Sequence, residues 1–292
     1  MNVNFGHLTG IGTRPVVTDR NRSRGIRFEF LRMRPHDHIG WVFTGSSEFA
    51  ALAASFLAEG AAHGEMLMYV AQDPDPADMA GLAQVVGPGA LLVTSVAAVY
   101  GPSGVVDPQG ERATYSAALD DALAAGFTGI RVAADNTPLV ADAERLAAWL
   151  RWEVVADRLL SERQITAMCA FDQEKVDVGR LRHLAEVHPL SSATGPVPQF
   201  RLFSAGGALC AEGQLDPLAV IQLWLALESL PRGTGVLVDL ANATLMSHAV
   251  LTGLGQLSDH GVDVTIRGQR PAIDKLRAWF SLSGGFLQLQ EA

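Results

Sequence analysis

The sequence predicts an α/β protein of two units: a larger one with a mainly parallel sheet covered by helices on both faces, and a small α/β unit behind it. Three observations predict this. Between residues 38 and 187, short apolar runs alternate with helix-period segments, the pattern of repeated strand–helix crossovers. Residues 189–198 then bring three prolines together with Ser, Thr and Gly, a stiff polar spacer. After it the order changes to two strands followed by helix–strand–helix–strand–helix, a complete small domain of roughly 90 residues.

In the larger unit, strands are expected at 38–43, 66–71, 90–94, 129–133 and 165–171, each an apolar run. Helices are expected at 48–63, 76–86, 111–125, 140–163 and 178–187. Ser46 or Ser47 can cap the first of these, which places Phe49, Leu52, Ala53, Phe56 and Leu57 on one face and ends at Gly64. Trp149 and Trp152 lie three apart and share a core face. Downstream, strands 199–204 and 208–214 form a hairpin turned at Gly206-Gly207. Asp216 caps a helix over 217–230 with Pro217 in its first turn. Strand 235–240, helix 248–260, strand 262–267 and helix 271–282 complete the unit. The domain plan is a disordered leader over 1–30, with Met33 an alternative start, the larger unit over 31–189, a linker over 190–198 and the small unit over 199–292.

Composition narrows the function. The chain has 292 residues, 48% hydrophobic and 18% charged, enough for two packed cores. Its net charge of −9 repels phosphate backbones, so no nucleic-acid partner is expected. Every long apolar stretch is broken before it reaches membrane-spanning length, and the N-terminus lacks the apolar core of a secretion signal. The two cysteines, Cys169 and Cys210, are too few for a disulfide framework, which makes the cytoplasm the expected compartment.

Several residues carry possible chemistry. The stretch 40–49 passes from strand to helix with Gly40 and Gly45 spaced as in a phosphate loop, but Ser46 stands where the lysine is required and Glu48 adds an anion. An ordinary capped helix is the favoured reading there, and ATP hydrolysis is disfavoured. His36 and His38 share one face if both lie in a strand, yet a metal needs three or four donors and no local third is present. No metal and no cofactor are therefore expected, and His38 is the better functional candidate. Asp135 follows a strand, where open α/β sheets bind ligands, but it also suits the turn before Pro138. Glu153 lies among apolar neighbours and reads either as a solvated residue or as one pointing into a pocket. Cys169 lies in an apolar strand, where a free thiol is usually inert packing. His188 suits the negative end of the last helix as well as a ligand role. In the small unit a buried strand ends at Asp239, and a loop delivers Ser247, His248 and Ala249 to a helix start, with Ser247 as its cap or a phosphate acceptor.

Two resemblances follow from these residues. Residues 199–286 resemble a STAS domain, the fold of anti-sigma-factor antagonists, through Glu212-Gly-Gln-Leu-Asp216, Asp239-Leu240 and strand 262–267 before the last helix. That resemblance implies a switch loop over 242–250 that binds a protein partner such as an anti-sigma factor. Ala249 occupies the family's phosphorylated position, which leaves Ser247 as the nearest hydroxyl. Residues 36–189 resemble the MEDS sensory domain through His38-Ile, Phe56-Leu-Ala-Glu-Gly60, Gly64-Glu65, Arg131-Val, Trp152-Glu153, Cys169-Ala-Phe-Asp172 and His188-Pro189. This resemblance implies a RecA/KaiC-like core without its phosphate loop, sensing a small hydrocarbon-like molecule through His38, Cys169 and His188. Together they imply a non-catalytic regulator. A nucleotide-binding sensor or ATPase, and a scaffold that merely self-associates, are the competing expectations.

Overall fold

The computed structural model describes residues 22–29, 32–228, 235–247, 249–250, 252–253, 263–283 and 288–292. Among the described residues, thirteen strands form two sheets. The larger sheet is built from β1 (Gly25–Arg27), β2 (His38–Phe43), β3 (Met66–Ala71), β4 (Leu91–Ser95), β5 (Ile130–Asp135), β6 (Ile165–Asp172) and β7 (Leu190–Ser192). Their order is β1-β7-β2-β6-β5-β3-β4, and every pairing is parallel. The connecting helices are α1 (Gly45–Ala62), α2 (Ala80–Val86), α3 (Val96–Tyr100), α4 (Pro108–Ala124), α5 (Ala143–Glu162) and α6 (Val178–Glu186).

Strand alternation sorts side chains between two cores. Ile39, Trp41 and Phe43 of β2 pack against Phe49, Phe56 and Leu57 of α1. Val42 of β2, with Cys169 and Phe171 of β6, faces the other way, onto Leu119 of α4 and Trp149 and Val155 of α5. Both predicted tryptophans of α5 are buried in that second core. Asp142 caps α5 by accepting from Arg145 N at 2.9 Å, so the helix starts later than its apolar pattern suggested; residues Thr137–Val140 form a separate 3-10 turn around Pro138.

Glu111 sits in the first turn of α4 with its Oε2 buried and unpaired. Burial, and then the Asp107 carboxylate, push its pKa up to about 7. A raised acid gives stability that is complete below its ordinary pKa of 4.5 and is lost as the pH climbs through about 7. Glu111→Gln should therefore melt about 2–4 °C above wild type at alkaline pH and level with it in acid, a difference thermal unfolding across pH would reveal. A gap that stays constant with pH would rule this account out.

The second sheet contains β8 (Phe200–Ala205), β9 (Ala208–Leu215), β10 (Val236–Asp239), β11 (Ala243–Met246), β12 (Val264–Gly268) and β13 (Gln288–Glu291), with α7 (Pro217–Glu228) and α8 (Arg270–Ser283). β8 and β9 form the expected hairpin; Gly206 and Gly207 take φ of 58° and 77°, the left-handed pair that such a two-residue turn demands. All other pairings are parallel, with β10 and β11 end to end along one edge of β9.

Four expectations need correction. Residues 22–29 of the leader are described, and β1 among them joins the larger sheet; residues 1–21 and 30 lie outside the described residues. The linker begins with a buried strand: β7 is held between β1 and β2, and Gly25 N donates to Pro189 O at 2.9 Å. The stretch read as a loop after Asp239 contains β11, and the last helix is followed by β13. These strands have three or four residues each, so pairing creates them and no periodicity announces them.

The two units share an interface on α5. Val154 belongs to the core of the second unit while its neighbours Trp152 and Val155 belong to the first. α5 packs directly against β8 and α7. Among the described residues no helix is long and apolar enough to cross a membrane.

Candidate functional site

The site forms where β2 and β6 lie side by side beneath α5. His38 is the first residue of β2, and the parallel register sets Gly40 beside Cys169 of β6. His38 and Cys169 both point at α5, which presents Glu153 and, one turn later, Asp157. His188 follows the end of α6 and lies over Gly40; a Cβ there would come within 3.0 Å of its ring, so glycine leaves the space.

The four side chains His38, Glu153, Cys169 and His188 are buried, and one donor atom from each lies within 4.8 Å of the others. His38 Nε2 is 3.2 Å from Glu153 Oε2 and 3.4 Å from Cys169 Sγ. His188 Nε2 is 3.3 Å from Glu153 Oε1, so one carboxylate bridges two imidazoles. The rings themselves are 4.4 Å apart. The outer nitrogens are also fixed. His38 Nδ1 donates to Asp157 Oδ1 at 3.0 Å, and His188 Nδ1 donates to Leu184 O at 2.7 Å. Asp157 is tied in turn to Arg22 Nη1 at 2.8 Å and accepts from Ser204 N at 2.5 Å.

The electrostatics follow from this arrangement. Burial pulls His38 down, but the Cys169 sulfur, Asp157 and Glu153 outweigh it and hold the imidazole well above its ordinary value. Burial also opposes a charged His188, yet Glu153 raises its pKa to about 9. For Glu153 burial favours the neutral acid, and the two imidazoles overcome it, lowering the pKa to about 2. Burial acts the same way on Asp157, where Arg22 and His38 prevail and lower the value. The cluster is thus a buried set of groups of opposite charge, each held by a neighbour. Such a set can hold a cation through N, O and S donors, or offer hydrogen bonds to a small polar molecule.

A small cavity of about 30 Å³ opens beside it, bounded by His38 and Cys169 on one side and by Tyr100, Tyr115, Trp152 and Val132 on the other. That is room for one or two water-sized groups. The Tyr100 and Tyr115 hydroxyls pair at 2.8 Å, and burial raises the pKa of both phenols.

Four of the five ligand candidates read from the sequence therefore meet, although they come from three separate elements and the segment after α6. Glu153 is fully buried, so its solvated reading is corrected. Asp135 is elsewhere, at the carboxyl end of β5, where it accepts from Thr137 N at 3.1 Å in the turn before Pro138; burial raises its pKa. His36 adopts φ of 75° outside the strand and bonds Leu160 O, so it does not share a face with His38. Sequence reasoning missed Asp157 and Arg22. The i,i+4 spacing of two acids on a mostly apolar helix was the one available signal for Asp157.

The strand–helix junction at 40–48 is already filled by carboxylates: Thr44 N donates to Glu48 Oε2 at 2.7 Å, and Gly45 N faces Asp172 Oδ1 at 3.5 Å. Two anions occupy the place of a phosphate. Calorimetry with ATP and Mg²⁺ at millimolar concentration is expected to give no binding heat; robust turnover abolished by changes around Gly45 would refute this.

In the second unit Asp239 is half-buried, paired with Arg267 Nη2 at 2.6 Å, and lines an open polar cleft of about 230 Å³. Ser247 Oγ is buried and unpaired, so its hydroxyl does not cap the helix as expected; its carbonyl accepts from Val250 N at 3.1 Å instead. Ala249 is half-buried beside it, and His248 lies outside the described residues.

No curated protein matches the chain. Residues 37–189, just over half of it, match the family described as MEDS, the MEthanogen/methylotroph, DcmR Sensory domain. The match starts one residue before His38 and ends one residue after His188, so it encloses the whole buried quartet. With its parallel sheet and a role in sensing and signalling, the chain belongs to the MEDS family.

Proposed function

We propose that this protein is a non-catalytic cytoplasmic regulator. Its MEDS unit, a RecA/KaiC-like core that no longer holds nucleotide, senses a small molecule, and its STAS-like second unit answers by binding a protein partner, in the manner of an anti-sigma-factor antagonist. One observation carries this reading: the buried quartet, bordered by a small aromatic-lined cavity, is wired to the second unit. Asp157 accepts from Ser204 N of β8, Arg22 Nη1 donates to Ser204 O at 2.9 Å, and Arg201 Nη1 of β8 donates to His188 O at 2.9 Å. Both histidines thereby connect to one strand. β8 pairs with β9, β9 with β11, and β11 ends at the loop that holds Ser247. A ligand that moves either ring changes the support of that path, and a difference in binding energy between the two arrangements is all that signalling requires. The cysteines Cys169 and Cys210 are both free, in keeping with a reducing compartment.

Hydrogen exchange on the full chain tests the wiring without knowledge of the ligand. His188→Gln should alter amide exchange in β8, β9 and β11 by about fivefold or more, the lower end of usual coupling energies. Changes confined to residues 37–189 would dispose of the coupling. Native mass spectrometry of the purified protein would show both a retained small molecule and the number of subunits. A partner-free scaffold predicts subunits alone.

A further inference from the structure

We propose that His38, Glu153, Cys169 and His188 form a binding site for a divalent transition-metal ion of the zinc class. The proposal stands on donor geometry and does not depend on the sensing reading.

The donor set fits first. Two imidazole nitrogens, one thiol sulfur and one carboxylate are the ligand types that zinc combines, and the thiol and imidazoles select against magnesium and calcium. The spacing fits next. A tetrahedral ion with bonds of about 2.0–2.3 Å sets its donors about 3.3–3.8 Å apart. The observed separations of 3.2 Å, 3.4 Å and 4.0 Å among His38, Glu153 and Cys169 bracket that range. His188 completes the set, all four within 4.8 Å, so closure needs movements of about 1 Å or less in side chains that already converge.

A second observation is independent of spacing. Glu153 Oε1 and His188 Nε2 are fully buried and face each other at 3.3 Å without an aligned hydrogen bond. Their ion pair leaves neither atom a well-aligned hydrogen bond, and an ion between them would satisfy both. The outer nitrogens agree as well. His38 Nδ1 donates to a carboxylate and His188 Nδ1 to a backbone carbonyl, which leaves each Nε2 directed inward. Metal-binding histidines are oriented in this way, and such outer partners raise the basicity of the ligating nitrogen. Asp157 and Leu184 O play that part here. Gly40 clears the volume His188 needs to reach in.

The test uses the full chain, stripped with a chelator and titrated with Zn²⁺ and with Co²⁺. About one ion per folded chain is expected, and the cobalt form should show the intense visible bands of tetrahedral geometry together with a sulfur-to-cobalt charge-transfer band. The chain has two free cysteines, so the sulfur can be assigned without relying on a buried variant that must fold. Cys210→Ser, at a half-buried position, should leave the band unchanged, and Cys169→Ser should remove it. Far less than one ion bound to folded wild type would overturn the proposal. So would a charge-transfer band that disappears in Cys210→Ser, or cobalt spectra of octahedral, all-oxygen type.

Discussion

Replacing Asp157 with alanine should destabilise the protein by about 3–5 kcal/mol, the loss usual when one partner of a buried charge pair is removed. Asp157 is 1% exposed and serves three groups from separate parts of the chain: His38 of β2, Arg22 ahead of β1 and the backbone of Ser204 in β8. Its removal strands a buried guanidinium that is itself 5% exposed, and it leaves the Ser204 N–H without an acceptor. The expected drop in melting temperature is on the order of 10 °C. Asp157→Asn keeps the shape and should lose roughly half as much, since an amide oxygen still accepts from Ser204. Thermal and denaturant unfolding of both variants measure this. Asp157→Ala within 1 kcal/mol of wild type would show that the carboxylate is dispensable.

Arg131→Met should cost a comparable 3–5 kcal/mol, roughly. The side chain of Arg131 is completely buried in β5, yet it carries a full charge. Its Nε donates to Glu65 Oε2 at 2.6 Å and its Nη1 to Glu59 Oε2 at 3.0 Å. Remaining donors reach the carbonyls of Phe56 and Met33, and the guanidinium lies 4.9 Å from the centre of the Phe56 ring. Methionine fills similar volume but abandons Glu65, which is 5% exposed and has no other cation near it among these contacts. The double change Arg131→Met with Glu65→Leu should recover much of the loss, because an apolar pair of similar size removes the orphaned charge. If the double variant is as unstable as the single one, packing rather than charge governs the position. These two sites share no contacts, so their effects should add to within about 0.5 kcal/mol.

Much of the fold was legible because apolar runs and caps act locally. β2, β3, β5 and β6 were visible as runs, and the β8–β9 hairpin was marked by its Gly-Gly turn. The strands that were missed, β1, β7, β11 and β13, have three or four residues and owe their existence to neighbours contributed from elsewhere in the chain. The site shows the same division. His38, Glu153, Cys169 and His188 each stood out by residue type, but nothing local says that four residues spread over some 150 positions converge. Glu153 read more readily as solvated because helix periodicity does not reveal that both faces of α5 are covered. Arg22 was hidden more thoroughly. It lies in a Gly-, Asn- and Arg-rich stretch, and nothing in that composition announces its tertiary partners Asp157 and Ser204.

A helix that serves as party wall to two interiors leaves no clean seam for recombination. Cutting between the units would bare Val154, Ala226 and Leu209 to water on one side or the other. A fusion that grafts the first unit onto a foreign domain must therefore redraw the outward face of α5, or it will carry a sticky scar. The two units of this protein are best exchanged as a pair.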